Sequence, residues 1–213
     1  MNSSKLNQIH NNVPVDYYEQ GLQKSFLQKY FHSKRFSHIS RILSPLKINN
    51  FLDLGCHSGI FTDKIKKITK ANGFGMDISE KVIQHAKNQH PDLNFLCGDI
   101  QNGLPFPDQN FDLVTTLDVL EHLPNYNCAV SESARVLKPG GYLLVGIPNE
   151  NLLFKFVWFF WTKMRGKYWN EAHVSKFRSK NLKGILEPSG FKKIADAKIH
   201  CRIYYIGLYR KSL

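Results

Sequence analysis

The chain lacks the features that would place it in several familiar classes. Its four cysteines, Cys56, Cys97, Cys128 and Cys201, are scattered and include no Cys-x-x-Cys pair. That spacing gives no zinc ribbon and suits reduced thiols in a cytosol. No cluster of metal-ligating residues stands out, so no metal is expected. No apolar run reaches the roughly 20 residues of a bilayer-spanning helix. The polar, Asn-rich N-terminus has no apolar centre of the signal-peptide kind. Residues 1–15 are expected to form a mobile end, with 16–213 as a single domain. There is no internal repeat and no interdomain linker. Acids are few, 17 Asp and Glu against 29 Lys and Arg, giving a net charge of +12. That balance admits an anionic partner, and equally a solvated basic face with none.

What is present suffices for one globular unit. The 213 residues are 42% hydrophobic and 22% charged, which excludes a disordered chain and allows one sizeable core. The organising stretch is residues 51–59, Phe-Leu-Asp-Leu-Gly-Cys-His-Ser-Gly. Four residues suit a short buried strand. A turn bounded by Gly55 and Gly59 follows, and then a helical pattern with Phe61, Ile65 and Ile68 on one face. Strand, glycine turn and helix make the first half of a nucleotide-binding βαβ unit. Glycine suits the turn because the backbone needs angles that a Cβ forbids and the ligand must come close to the main chain.

Later stations fall at matching distances. Residues 73–76 read as a second strand ending in Asp77, 18 residues after Gly59. A carboxylate there offers two acceptor oxygens to two ribose hydroxyls, although it could instead cap the next helix. Residues 94–97 read as a third strand, closing on Asp99 and Ile100. Asp99 could accept from an adenine amino group or form an Asx-turn. Residues 111–116 read as a fourth strand running into Leu117-Asp118-Val119-Leu120-Glu121-His122, two acids and a histidine in one loop. A helix follows, then a turn at Lys138-Pro139-Gly140-Gly141, then a fifth strand over 142–147. Ahead of the first strand, 16–45 read as one or two cap helices. There Leu22, Phe26, Leu27, Tyr30 and Phe31 fall at helical spacing, as do Phe36, Ile39, Ile42 and Leu43. Arg35, 20 residues before Gly55, could reach a carboxylate held over the glycine turn. Short apolar strands alternating with helices argue for a parallel sheet covered on both faces.

Taken together, these motifs resemble class I S-adenosylmethionine-dependent methyltransferases, and are most similar to ubiquinone-biosynthesis-type O-methyltransferases. The resemblance covers roughly residues 50–150. It implies an α/β, Rossmann-like, doubly wound sheet of seven strands, mostly parallel with the last strand antiparallel. It also implies S-adenosyl-L-methionine as cofactor. On it, Asp53, Gly55, Cys56 and Gly59 would line the methionine part, and Asp77 with Ile78 the ribose end. Asp99 and Ile100 would frame the adenine, Leu117 would lie beside the cofactor, and Arg35 would meet its carboxylate. There are departures. His57 stands where many members have glycine, and Asp118 where many have glutamate. A nicotinamide dinucleotide fits less well, since no glycine occupies position 57 or 60 of its fingerprint.

The expected reaction is in-line methyl transfer, with His122 as the candidate base and His173 as a second candidate. The alternative for His122 is that it only anchors its loop by a hydrogen bond, and for His173 that it caps the Arg178–Glu187 helix region. The acceptor is expected to be a small, lipid-like or aromatic molecule methylated on oxygen. RNA or protein methylation, or a non-catalytic donor-binding regulator, remain alternatives. Nucleic acid ranks lower because the loop after the fourth strand lacks an Asn/Asp-Pro-Pro-aromatic signature. Residues 151–175 read as an insertion after the fifth strand. Its aromatic run, 152–169, fits a lid over an apolar pocket, a membrane-interface helix with cationic flanks, or extra core. The expected compartment is the cytoplasm, with peripheral membrane contact through 152–169 as one reading. The oligomeric state is not legible.

Overall fold

A computed structural model describes residues 13–151 and 179–213, together with Leu153, Phe154 and Phe156. The expected mobile end before Val13, most of the 151–175 insertion, and His173 lie outside the described residues. Two helices come first, α1 (Tyr17–Lys24) and α2 (Phe26–Leu43). Then follow β1 (Asn50–Leu54), α3 (Ile60–Thr69), β2 (Asn72–Asp77), α4 (Glu80–Gln89) and β3 (Asn94–Cys97). The chain continues through β4 (Phe111–Leu117), α5 (Tyr126–Val136), β5 (Leu137–Pro148), α6 (Leu182–Leu186), β6 (Phe191–Ile199) and β7 (Tyr204–Lys211).

The strands form one seven-stranded sheet in the order β3-β2-β1-β4-β5-β7-β6. Neighbours from β3 to β5 pair in parallel, and β7 runs antiparallel to both β5 and β6. The order reverses between β1 and β4. Their carboxyl ends therefore diverge into a crevice, the place where open α/β sheets bind ligands.

Alternating strand residues feed two apolar layers, as a sheet buried on both faces requires. Leu52, Val114, Leu143 and Val145 join α5 and α6 in one layer. Phe51, Leu113 and Leu144 join α2 and α3 in the other, through Phe36, Ile39, Leu43 and Ile65. Burying one such side chain is worth about 1.5–3 kcal/mol before the entropy of ordering it.

One detail refines the sequence reading and two differ from it. The break between α1 and α2 is made by Ser25, whose extended backbone and side-chain oxygen cap the second helix at the Gln28 amide. Residues 138–141 lie within β5, where a register shift beside β4 absorbs the turn-forming residues. Phe26, Leu27 and Tyr30, expected on a packed face, are 81%, 76% and 51% exposed.

Asp53 holds the sheet around the crevice. Its Oδ2 accepts from Thr62 Oγ1 of α3 at 2.7 Å, and its Oδ1 accepts from Thr115 Oγ1 of β4 at 2.6 Å. Burial pushes its carboxyl up to about 6, against the opposing pull of the two threonine hydrogen bonds. A folded-state pKa above the unfolded one makes the protonated form the better fit. Its contribution is therefore full below about pH 4 and lost as pH rises through about 6. Urea unfolding of the native chain and of Asp53→Asn between these pH values should separate them. The native chain should lose on the order of 2 kcal/mol relative to the variant as pH rises. Parallel pH profiles would remove this account of Asp53.

Candidate active site

The crevice begins at the turn after β1. Gly55 adopts φ +69°, and a Cβ there would stand 2.4 Å from Val119 Cγ2. Gly59, at φ +78°, is the left-handed N-cap residue of α3. The bulkier His57 does not close the turn, because it takes a left-handed φ of 46° itself. Asp118, in the facing turn, has a φ of 59°. Strained non-glycine backbone on both sides of one crevice is a mark of a functional site.

Asp77 bridges the floor. Its Oδ2 accepts from the His57 amide and its Oδ1 from the Ser79 amide, each at 3.0 Å. Each oxygen keeps a further lone pair. Asp99 forms the Asx-turn, with Oδ1 accepting from the Gln101 amide at 2.9 Å. Its Oδ2 is buried with no hydrogen-bonding partner among the described residues. The crevice is walled by Asp53, Gly55, Cys56, Asp77, Ile78, Asp99, Ile100 and Leu117, and closed by Tyr18, Phe61, Val119 and His122. Of the cofactor residues expected from sequence, Gly59 and Arg35 lie outside this lining. Gly59 acts through backbone geometry at the start of α3.

Arg35 sits behind the turn after β4, fully buried. Its Nη1 donates to Asp118 Oδ2 at 2.5 Å, and its guanidinium lies over the rings of Phe61 and Tyr204. Its Nε and Nη2 have no hydrogen-bonding partner among the described residues. Tyr204 reaches this cluster because position 146 is glycine, where a Cβ would stand 2.6 Å from its hydroxyl. Glu121 is buried beside it, and burial followed by the Asp118 charge pushes its carboxyl well above the usual range. His32, buried next to Arg35, is pushed down to about 3 by burial and then by the guanidinium. Among the described residues, no group of three or more His, Cys, Asp or Glu could hold a metal ion.

Sequence reasoning did not find Tyr18, Thr62, Thr115, Val119 or Tyr204. The first and last come from opposite ends of the chain. The threonines carry no motif of their own and become legible only once β1, α3 and β4 are adjacent.

A glycine turn and an acid-ended second strand at a topological switch point define a Rossmann-like nucleotide-binding protein. The profile of the family described as "Methyltransferase domain" matches residues 52–145. A demethylmenaquinone methyltransferase of Staphylococcus haemolyticus is 30% identical over 217 residues, 91% of this chain and 89% of that protein. The chain belongs to the S-adenosylmethionine-dependent methyltransferases of class I. A ubiquinone biosynthesis O-methyltransferase of Coxiella burnetii is 34% identical over 110 residues, 50% of this chain and 46% of that protein. A probable S-adenosylmethionine-dependent methyltransferase of Mycolicibacterium smegmatis is 31% identical over 66% of this chain and 51% of its own length. The matched part thus spans about half the length of these two relatives. Magnesium protoporphyrin IX methyltransferase from Synechocystis, solved with bound S-adenosylhomocysteine, superposes at a TM-score of 0.77. That match covers 99% of this chain and all of the other at 18% identity, and concerns the fold.

The residues fit the family's methyl donor. An adenosine with an amino-acid tail has groups for an unpaired carboxylate oxygen at Asp99 and for unpaired guanidinium nitrogens at Arg35. The ion pair behind the crevice is directly testable. Asp118→Asn leaves the buried guanidinium short of its counter-charge, and should cost on the order of 3 kcal/mol in urea unfolding. A loss under about 0.5 kcal/mol, the ordinary range for surface changes, would show that the pair is solvated.

Proposed function

We propose that the chain transfers the methyl group of S-adenosylmethionine to an oxygen of a small, lipid-like aromatic acceptor of the quinol kind. The observations that carry the donor half are a buried, unpaired Asp99 Oδ2 in the crevice lining and the unpaired Arg35 nitrogens behind Asp118, which lines the crevice. Leaving such groups buried and unpaired costs roughly 1–3 kcal/mol each, so a ligand that meets them is favoured. In this reading Asp99 with Ile100 holds the adenine, and Asp77 with Ile78 takes the ribose hydroxyls. The turn at Gly55 and Cys56 faces the methionine part, Leu117 packs beside it, and the unpaired Arg35 N–H groups donate to the carboxylate. Asp53 has both oxygens committed to threonines. It therefore shapes the turn, as Gly59 does.

When bound, the donor supplies an electrophilic methyl on a sulfonium centre. The protein's share is alignment, exclusion of water and removal of one proton. Alignment can supply roughly 7–11 kcal/mol of the barrier. His122, 5% exposed on the turn Leu120–His122 and lining the crevice, is assigned as the group that takes the acceptor's proton. The acceptor half rests on relatives named for ubiquinone biosynthesis and for demethylmenaquinone. The charge of +12 favours a second reading, methylation of RNA or protein.

Two experiments test these roles. Purified protein and methyl-tritiated donor are added to a lysate of the source cell, with Asp77→Ala as control. The lysate is then split into organic phase, aqueous small molecules, RNA and protein. Label in the organic phase is expected, and label in RNA or protein would replace the acceptor reading. Donor binding with no label anywhere would leave a non-catalytic binder. In the labelled reaction, His122→Asn should lower kcat by about 10²–10⁴-fold while calorimetric affinity for S-adenosylhomocysteine is unchanged. An unchanged kcat would show that His122 only holds its turn.

A further inference from the structure

Helix α2 presents an apolar tip to solvent. Phe26, Leu27 and Tyr30 are 81%, 76% and 51% exposed, an unusual concentration of large apolar surface in five residues. The ring of Tyr30 lies 6.0 Å from that of His200, and Phe31 stacks on His200 at 4.3 Å. His200 belongs to the turn joining β6 to β7, which sits at the same sheet edge as the crevice. The carbonyl of Arg202 in that turn accepts from the side chains of Asn149 and Asn151, just beyond β5. Exposed Leu153 and Phe156 follow a few residues later. The apolar tip therefore continues toward a second exposed pair on the crevice side of the molecule.

Exposed charge around the tip is predominantly positive. Helix α2 carries Lys29, Lys34, Arg35 and Arg41 and no Asp or Glu. Lys24, Lys29, Lys34, Lys198 and Arg202 are exposed. Asp16, Glu19, Asp118, Glu121 and Glu150 near this edge are buried or half-buried, and the exposed Asp196 on β6 is paired with Lys193. Protruding apolar and aromatic side chains ringed by lysines that make no salt bridge among the described residues, with Lys34 lying over the Tyr30 ring, suit an anionic bilayer. There the apolar groups enter the acyl boundary and each cation adds about 1 kcal/mol.

We propose that the start of α2, with the β6–β7 turn beside it, docks this protein onto anionic membrane. The site deepens the reading of a lipid-like acceptor, because it sets the crevice-bearing sheet edge toward the phase that holds such a molecule. Tyr18, on the helix before α2, lines the crevice itself, so docking surface and crevice share one helical hairpin.

The full chain is sedimented with vesicles of phosphatidylcholine alone and of phosphatidylcholine with phosphatidylglycerol. Retention on the anionic vesicles only, weakened by salt, is expected. Lys29→Gln with Lys34→Gln should weaken it about 30-fold. Phe26→Ser with Leu27→Ser should weaken it on the order of 100-fold. Ile194→Ser, on the edge strand β6 and comparably exposed at 52%, should change nothing. S-adenosylhomocysteine affinity reports folding, and the lysine pair decides if the serine pair fails to fold. No retention on anionic vesicles, or retention that survives the lysine pair, overturns the proposal. So does RNA binding lost in the lysine pair without vesicle binding. Label in an organic-phase acceptor without vesicle retention sinks this proposal and leaves the acceptor reading. Retention with label only in RNA or protein does the reverse.

Discussion

One buried carboxylate organises the crevice. Asp53 stands on the central strand and spends each oxygen on a threonine hydroxyl, one from the following helix and one from the neighbouring strand. Those two bonds fix how β1, α3 and β4 sit around the glycine turn. Desolvation raises the cost of the charged form, and the threonines offset part of it. The strained backbone at His57 and Asp118 persists only where its surroundings over-determine it. Three elements clamped at one carboxylate are such surroundings. Asp77 extends the clamp by accepting from the His57 amide itself.

A second constraint joins the chain's two ends to that frame. Arg35 arrives from α2 and Tyr204 from the start of β7, and both meet the turn after β4. The guanidinium is fully buried, which is tolerable only with a counter-charge and aromatic faces around it. Asp118 supplies the charge; Phe61 and Tyr204 supply the rings. Gly146, paired with Leu117 across β4 and β5, leaves the volume that the tyrosine hydroxyl occupies. The wall behind the crevice is thus assembled from segments 83 and more residues apart in the chain.

This explains what could be read in advance. Buried parallel strands are short apolar runs bounded by turn residues, so β1 to β4 were legible, as was the glycine turn. The spacing of Asp77 and Asp99 behind that turn follows from the βαβ repeat, and both residues do line the crevice. The pairing of Arg35 with Asp118 was not legible, because no local pattern links a helix residue to a distant loop. Lys138 to Gly141 read as a turn because Pro and Gly usually end strands, whereas here an irregular register admits them. Ser25 carried an overlooked signal, a capping residue three positions before Gln28. The exposure of Phe26 and Leu27 was invisible for another reason. Helical spacing shows that apolar residues share a face, and only the packing shows whether that face is covered.

The distribution of charge bears on the acceptor. The chain is strongly basic as a whole, yet the buried cluster behind the crevice is not. Arg35 is offset by Asp118, while desolvation holds Glu121 toward its neutral acid and His32 toward its neutral base. Among the described residues, the Lys and Arg other than Arg35 therefore lie at the surface, where salt screens them within about 10 Å. A polyanionic acceptor would need cations beside the reacting atom as well as outside. The crevice lining carries the carboxylates Asp53, Asp77 and Asp99 and, among the described residues, no Lys or Arg. Carboxylates there disfavour a polyanion beside the reacting atom, which supports the proposed uncharged acceptor over RNA. On the proposed docking, the task of the basic exterior would be to hold the protein near an anionic surface rather than to recognise the acceptor.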